Sequence, residues 1–211
     1  MKYTDIIWDF NGTLLDDIRA GIDAVNDMLS RRGLATIDSV ERYRELFCFP
    51  IIEYYAKLGF DFEKEDYDTV LAPEWVALYL AGEADCPLME GERQTVETLH
   101  RRGVPQIVLS ATKLEQLTAQ LNRLGLTAYF EEIIGLDNIH ARSKKEQALE
   151  WKRRHLQANP LFVGDTEHDA EVAEAVEADC LLYTGGHQPV DKLAARGNPL
   201  IASVGDILKY L

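Results

Sequence analysis

Cysteine is scarce: Cys48, Cys86 and Cys180 are the only three in 211 residues. They are scattered, odd in number and without the spacing of a structural metal site. That excludes a disulfide framework and points to a reducing compartment with free buried thiols. Long apolar runs are missing too. No stretch approaches the ~20 residues a membrane-spanning helix needs, so no membrane is expected. Positive charge is short: 22 Lys and Arg stand against 36 Asp and Glu, a formal net charge of −14. An acidic surface repels nucleic acid and anionic lipid, so neither is expected as a main partner, although a local site can still take a small anion. The first residues are strand-like and interrupted by Lys2 and Asp5. No signal peptide is therefore expected, and the expected location is cytoplasmic. Internal repeats and low-complexity segments are also lacking.

What is present is an ordinary globular composition, 46% hydrophobic and 27% charged, in a length that suits one large domain or a core with a smaller insertion. Strand-like runs occur at residues 3–9, 105–110, 131–134, 160–164, 179–183 and 200–203. From residue 91 onward they alternate with helical patterns. Leu114, Leu117, Leu121 and Leu124 fall on one helix face, stopped by Gly125. Thr112 with Glu115, and Ser143 with Glu146, have capping-box spacing. Strand–helix alternation with short loops predicts a parallel sheet covered on both faces, a Rossmann-like α/β core. Residues 16–88 break the alternation. They carry helical patterns and no convincing strand: Ile18, Ile22, Val25 and Leu29 make a stripe closed by Gly33, and Tyr54, Tyr55 and Leu58 precede Gly59. The expected organisation is a core of residues 1–15 and 89–211 with an all-helical cap, 16–88, joined by linkers near Leu15–Asp17 and Pro87–Gly91.

Ligands bind at the carboxyl ends of strands in open parallel sheets. In "IIWDFNGTLLDD" an apolar strand ends in Asp9, followed by Asn11, Gly12 and Thr13. Ser110 ends the second strand, and Asp165 ends the "LFVGD" strand with Asp169 a helical turn later. Each alone has a plain reading as a turn or cap residue. Lys144 is harder to dismiss, because a cation in the first helical turn opposes the helix dipole by ~0.3–1 kcal/mol. Together the residues describe a site. Asp9, Asp165 and Asp169 would gather three carboxylates that need a cation, and hard oxygen ligands suit Mg²⁺. The N–H groups around Asn11, Gly12 and Thr13, with Ser110 and Lys144, would hold phosphate oxygens. A carboxylate between an anion acceptor and a metal is the arrangement for phosphoryl transfer through an aspartyl-phosphate.

These motifs resemble those of the haloacid dehalogenase-like hydrolases, in the phosphoglycolate phosphatase-like subgroup with a helical cap after the first strand. "DFNGTLLDD" matches the first motif, with Asp9 in the nucleophile position, "VLSAT" the second, "SKKEQ" the third, with Lys144 preferred over Lys145, and "VGDTEHD" the fourth. The resemblance implies a Mg²⁺-dependent phosphatase for a small phosphorylated metabolite, monomer or homodimer. Asp9, Asn11, Ser110 and Lys144 would be catalytic, and Gly12, Thr13, Ser110, Ala111 and Lys144 would bind substrate. Asp9, Asn11 (through its backbone carbonyl), Asp165 and Asp169 would hold the metal. Asn11 departs from the family pattern. That position usually carries a second Asp, the general acid and base, and such catalysis is worth ~10²–10⁴-fold. The alternative is therefore a catalytically weakened member that binds a phosphorylated ligand or a protein as a regulator. His168 and His187 lie at the same sheet edge, where the structural reading of a lone histidine is preferred. Arg42, Arg44 and Lys57 are weighed as contacts for a substrate anion against solvated surface charge, and the second is preferred.

Overall fold

The computed structural model describes residues 2–136 and 143–211. The strands are β1 (Asp5–Trp8), β2 (Gln106–Lys113), β3 (Glu132–Leu136), β4 (Pro160–Gly164), β5 (Asp179–Tyr183) and β6 (Leu200–Ile201). They form one all-parallel sheet in the order β3-β2-β1-β4-β5-β6. Successive strand residues face opposite sides. Ile6 and Trp8 join one apolar cluster and Ile7 the other, which is why β1 reads as an unbroken apolar run. The chain builds outward from β1 through β2 to β3, then returns to lay β4, β5 and β6 on the other side. The order reverses between β1 and β4, and a crevice opens beyond the strand ends at such a reversal. Asp9 and Asp165 are the residues that leave β1 and β4 there.

Between β1 and β2 lie α1 (Ile18–Arg31), α2 (Val40–Leu46), α3 (Ile51–Lys57) and α4 (Ala72–Glu83). They gather a third apolar cluster that includes the α1 stripe Ile18, Ile22, Val25 and Leu29 with Tyr43, Tyr54 and Tyr55. The two connections to this segment run side by side. Asp16 N–H donates to Pro87 O and Met89 N–H to Leu14 O, each at 2.9 Å, around an antiparallel bridge of Leu15 with Leu88. The sheet faces are covered by α5 (Glu92–Arg101) and α6 (Leu114–Arg123) on one side. On the other lie α7 (Lys144–Arg154), α8 (Glu167–Ala175) and α9 (Val190–Ala195).

The Ser143–Glu146 capping box forms at the start of α7. The Thr112–Glu115 box does not. Strand β2 runs on to Lys113, and α6 starts with no side-chain cap. The reason is local: Thr112 is still in the strand, Lys113 takes the N-cap position where a capping hydroxyl would accept a helix N–H, and the Thr112 hydroxyl donates to Asn11 Oδ1 at 2.8 Å. The pairing of β2 with β3 also shifts register between Leu109 and Lys113. That irregularity lets Ser110, Ala111 and Thr112 leave the regular ladder beside the crevice.

One buried group lies away from the crevice residues. Glu92 opens α5 fully buried, with neither carboxylate oxygen hydrogen-bonded. Burial pushes its pKa up to about 8. The native state thus holds this proton more tightly than the unfolded chain does. Stability is full below the ordinary carboxyl range and falls as pH rises from there through about 8. The loss expected from one such group is roughly 3–5 kcal/mol. Urea unfolding at pH 5.5 and 8.5 should show Glu92→Gln flattening most of that slope. A slope equal to wild type would show that Glu92 is not the titrating group.

Candidate active site

The Asp9 N–H donates to Val163 O at 2.8 Å, tying the end of β1 to β4. Lys144, the first residue of α7, lies buried with its ammonium between two carboxylates: Asp9 Oδ1, and Asp169 Oδ1 at 2.6 Å. These anions account for a lysine in the first helical turn. Lys145 is exposed, so Lys144 is the lysine of the crevice. Asp169 serves twice. Its Oδ1 meets Lys144, while Oδ2 accepts from Asp165 N, Thr166 N and Thr166 Oγ1 at 3.1, 3.0 and 2.7 Å, completing the capping box of α8. Thr13 Oγ1 donates to Asp165 Oδ1 at 2.9 Å and lies 3.4 Å from Asp9 Oδ2. The other Asp165 oxygen accepts the His187 N–H at 2.7 Å.

The loop after Asp9 is a tight turn. Gly12 has φ +74°, and a side chain there would overlap His187 and Asp165. Only glycine lets the backbone approach this closely in the left-handed region. The same overlap with Asp165 fixes glycine at Gly186. Of the N–H groups expected to cradle a phosphate, those of Gly12 and Thr13 are turned inward. Gly12 N–H donates to Leu15 O and to Asp17 Oδ1, both at 2.9 Å, and Thr13 N–H to Phe10 O at 3.3 Å. The cause is the turn itself, which closes on the Phe10 carbonyl. Asn11 is held on both sides. Its Nδ2 donates to Asp17 Oδ2 and to the Tyr79 hydroxyl, both at 2.9 Å, and its Oδ1 accepts from Thr112. Ser110 Oγ lies 3.4 Å from Asn11 Oδ1 and 3.1 Å from Thr112 Oγ1, so Ser110 reaches the loop both directly and through its neighbour, while Ala111 is exposed.

Electrostatics single out the carboxylates. Burial drives Asp9 well above the ordinary range against the pull of Lys144, and lifts Asp165 to about 6 against the pull of His187. Burial pushes Asp169 upward as well, but Lys144 and Thr166 more than offset it and leave its carboxyl below the usual value. Burial lowers His187, yet Asp17 at 3.3 Å outweighs this and raises it to about 9. An imidazolium there donates from Nε2 to Asp17 and from Nδ1 to the Tyr43 hydroxyl at 2.8 Å. Oxygens of Asp9, Asp165 and Asp169 all lie within 4.8 Å of one another. A buried, all-oxygen set whose ionised form is under-compensated by Lys144 fits a hard divalent cation such as Mg²⁺. Mg²⁺ at a hundredfold excess over its dissociation constant should stabilise the native state by ~2.7 kcal/mol, raising Tm by roughly 5–10 °C. Asp165→Ala should lose that rise, read by differential scanning fluorimetry with and without Mg²⁺. An undiminished rise would put the metal elsewhere.

Sequence patterns point to Asp9, Lys144, Asp165 and Asp169, which meet directly. Those patterns leave out Asp17, Tyr79, Tyr43 and Thr112, and they give His187 a purely structural role. Asp17 has a signal, a second acid at the end of "LLDD". The tyrosines lie on apolar helix faces and have none. His168 turns to Glu171, 3.6 Å away, and to the ring of Phe49. Arg42 pairs with Glu45 on the surface. Lys57 lies 3.0 Å from Cys48 Sγ. Arg44 is not a solvated charge, because its guanidinium donates to the carbonyls of Gly185 and Gly186 at 2.6 and 2.8 Å and ties α2 to the loop after β5.

The sequence profile of the haloacid dehalogenase-like hydrolases matches residues 6–183. The chain is similar to a phosphoglycolate phosphatase of Rhodobacter capsulatus, 27% identical over 194 residues that cover 89% of this chain and 88% of the relative. Among solved structures it is similar to a haloacid dehalogenase-like hydrolase of Streptococcus pneumoniae, with TM-score 0.85, 18% identity and 99% and 98% of the two chains covered. It is also similar in fold to Mycobacterium tuberculosis protein tyrosine kinase A, with TM-score 0.81, 20% identity and 99% and 98% covered. Proteins named for different activities thus share this fold, so the activity has to be argued from the site.

Proposed function

This chain belongs to the haloacid dehalogenase-like hydrolases, and from that premise we propose that it is a Mg²⁺-dependent phosphatase acting on a small phosphorylated metabolite. The observation that carries the reading is Lys144 buried between Asp9 and Asp169 at the edge where β1 and β4 end. Asp9 is the nucleophile: its carboxylate attacks phosphorus, the ester oxygen leaves, and water then hydrolyses the aspartyl-phosphate. Lys144 fixes one Asp9 oxygen, so the other is the attacking atom, with the Thr13 hydroxyl beside it. As the phosphoryl group arrives, the Lys144 ammonium beside Asp9 is a cation for its oxygens. Asp9, Asp165 and Asp169, with the Asn11 carbonyl, would hold Mg²⁺. When bound, it would keep the Asp9 carboxyl ionised and offset the repulsion between carboxylate and phosphate.

The helices α1–α4 serve as the cap over this crevice and shape the space for the leaving group. The relatives' printed activity carries over as far as phosphomonoester hydrolysis. For a carboxylate-bearing substrate, the three cations weighed as its partner, Arg42, Arg44 and Lys57, are all otherwise engaged. A second reading, a weakened relative acting as a regulator, draws on Asn11 alone. Turnover of p-nitrophenyl phosphate by purified protein with Mg²⁺ separates the two. Multiple turnover, abolished by chelation, is expected. No turnover with Mg²⁺ present favours the regulator.

A further inference from the structure

Asp17 stands at the N-cap of α1, a position where an aspartate ordinarily accepts a first-turn N–H. It makes no such bond. Its carboxylate is buried and turned to the loop beyond the nucleophile, where four donors converge on it: Gly12 N–H and Asn11 Nδ2 at 2.9 Å, the Tyr79 hydroxyl at 2.8 Å and His187 Nε2 at 3.3 Å. Two of these come from the loop that follows Asp9. Tyr79 comes from α4, its ring stacked on Trp75 at 4.8 Å. His187 comes from the loop after β5 and is itself held by Tyr43 of α2.

We propose that Asp17 is the positioning residue of the phosphoryl-transfer site, holding Asn11 and Gly12 in register with Asp9 and making that register depend on the seating of α2 and α4. This rests on the phosphatase reading above. The carboxylate also explains the amide at position 11. Asp17 Oδ2 needs a donor and the Thr112 hydroxyl needs an acceptor, and an asparagine oriented this way supplies both. Asn11→Asp would set carboxylate against carboxylate. Exchanging the pair, Asn11→Asp with Asp17→Asn, restores a donor facing an acceptor, and the carbonyl of the new amide at position 17 can still accept from Gly12.

The test uses the full chain with Mg²⁺ and p-nitrophenyl phosphate, whose leaving group needs little protonation. Asp17→Ala should lower kcat about 100-fold, the scale of a ~1 Å misplacement at a reacting centre, with KM within about threefold. Tyr79→Phe, which deletes one hydroxyl, should lower kcat several-fold. The exchanged pair should turn over at least tenfold faster than Asn11→Asp alone. A melting curve checks each variant. If Asp17→Ala fails to fold, Tyr79→Phe and the exchange decide. Wild-type kcat in Asp17→Ala, or equal rates in Asn11→Asp and the exchanged pair, overturns the proposal. If wild type turns nothing over, the phosphatase reading falls on its own. The stabilisation of each variant by Mg²⁺ with orthovanadate then judges Asp17: a diminished shift upholds its role, and a shift equal to wild type overturns it.

Discussion

Asp9→Asn is expected to remove Mg²⁺-dependent phosphatase activity altogether, a loss of at least ~10⁴-fold, as for other nucleophile deletions. The amide cannot form the acyl phosphate, and none of the described residues beside it can take its place. Lys144 is a cation, Asp169 is bonded to Lys144 and Thr166, and Asp165 is bonded to Thr13 and His187. The substitution is nearly isosteric. The carbonyl of the new amide can still accept from Lys144, and Lys144 keeps its 2.6 Å contact with Asp169. The fold should therefore survive. In the absence of metal its melting temperature should rise, because burial already pushes the Asp9 carboxyl well above its ordinary range and a neutral group ends that penalty. The stabilisation by Mg²⁺ should shrink for the same reason. Hydrolysis of p-nitrophenyl phosphate and a melting curve with and without Mg²⁺ check all three expectations. A folded Asp9→Asn protein that turns over like wild type would remove Asp9 from the mechanism.

The residues that sequence made legible share one property: their roles follow from position along the chain. A parallel strand buried on both faces is a continuous apolar run, so β1, β4 and β5 could be read directly. The residue leaving such a strand at the reversal point faces the crevice, so Asp9 and Asp165 could be read with it. Lys144 betrayed itself by opposing a helix dipole. What stayed hidden depends on contacts between distant segments. Asp17 and Tyr79 are 62 residues apart, and Tyr43 and His187 are 144 apart. The tyrosines look like any core aromatic on a helix face. Thr112 shows the converse error. Its spacing to Glu115 fits a capping box, but β2 runs one residue past it, so Lys113 stands at the N-cap and the Thr112 hydroxyl turns to Asn11. Glu92 gives no pattern at all, since a glutamate opening a helix is ordinary until its burial is known.

The missing acid at position 11 gives the last expectation. Around Asn11, among the described residues, the titratable groups are already engaged. Asp17 accepts four donors, and although burial pushes its carboxyl up, the charge of His187 more than offsets this and holds it below the usual range. Both nitrogens of His187 are bonded, and His168 faces Glu171. Among the described residues, no neighbour stands ready to protonate a departing oxygen. A p-nitrophenolate leaves without that proton, whereas an alkoxide needs it, so rates should fall steeply as leaving-group pKa rises. At saturating Mg²⁺, an aryl phosphate should outrun an alkyl phosphate by more than the ~10²–10⁴-fold that general acid catalysis supplies. Asn11→Asp alone should recover little of this, because its new carboxyl lies against Asp17 where Nδ2 now donates at 2.9 Å. Coupling it to Asp17→Asn sets that carboxyl against an amide instead of a carboxylate, and the alkyl ester should gain far more than the aryl ester. Kinetics on one substrate of each kind, for wild type and both variants, decide the matter. Equal gains on the two esters, or a wild type indifferent to the leaving group, would show that a proton donor is already in place and that Asn11 is there for another reason.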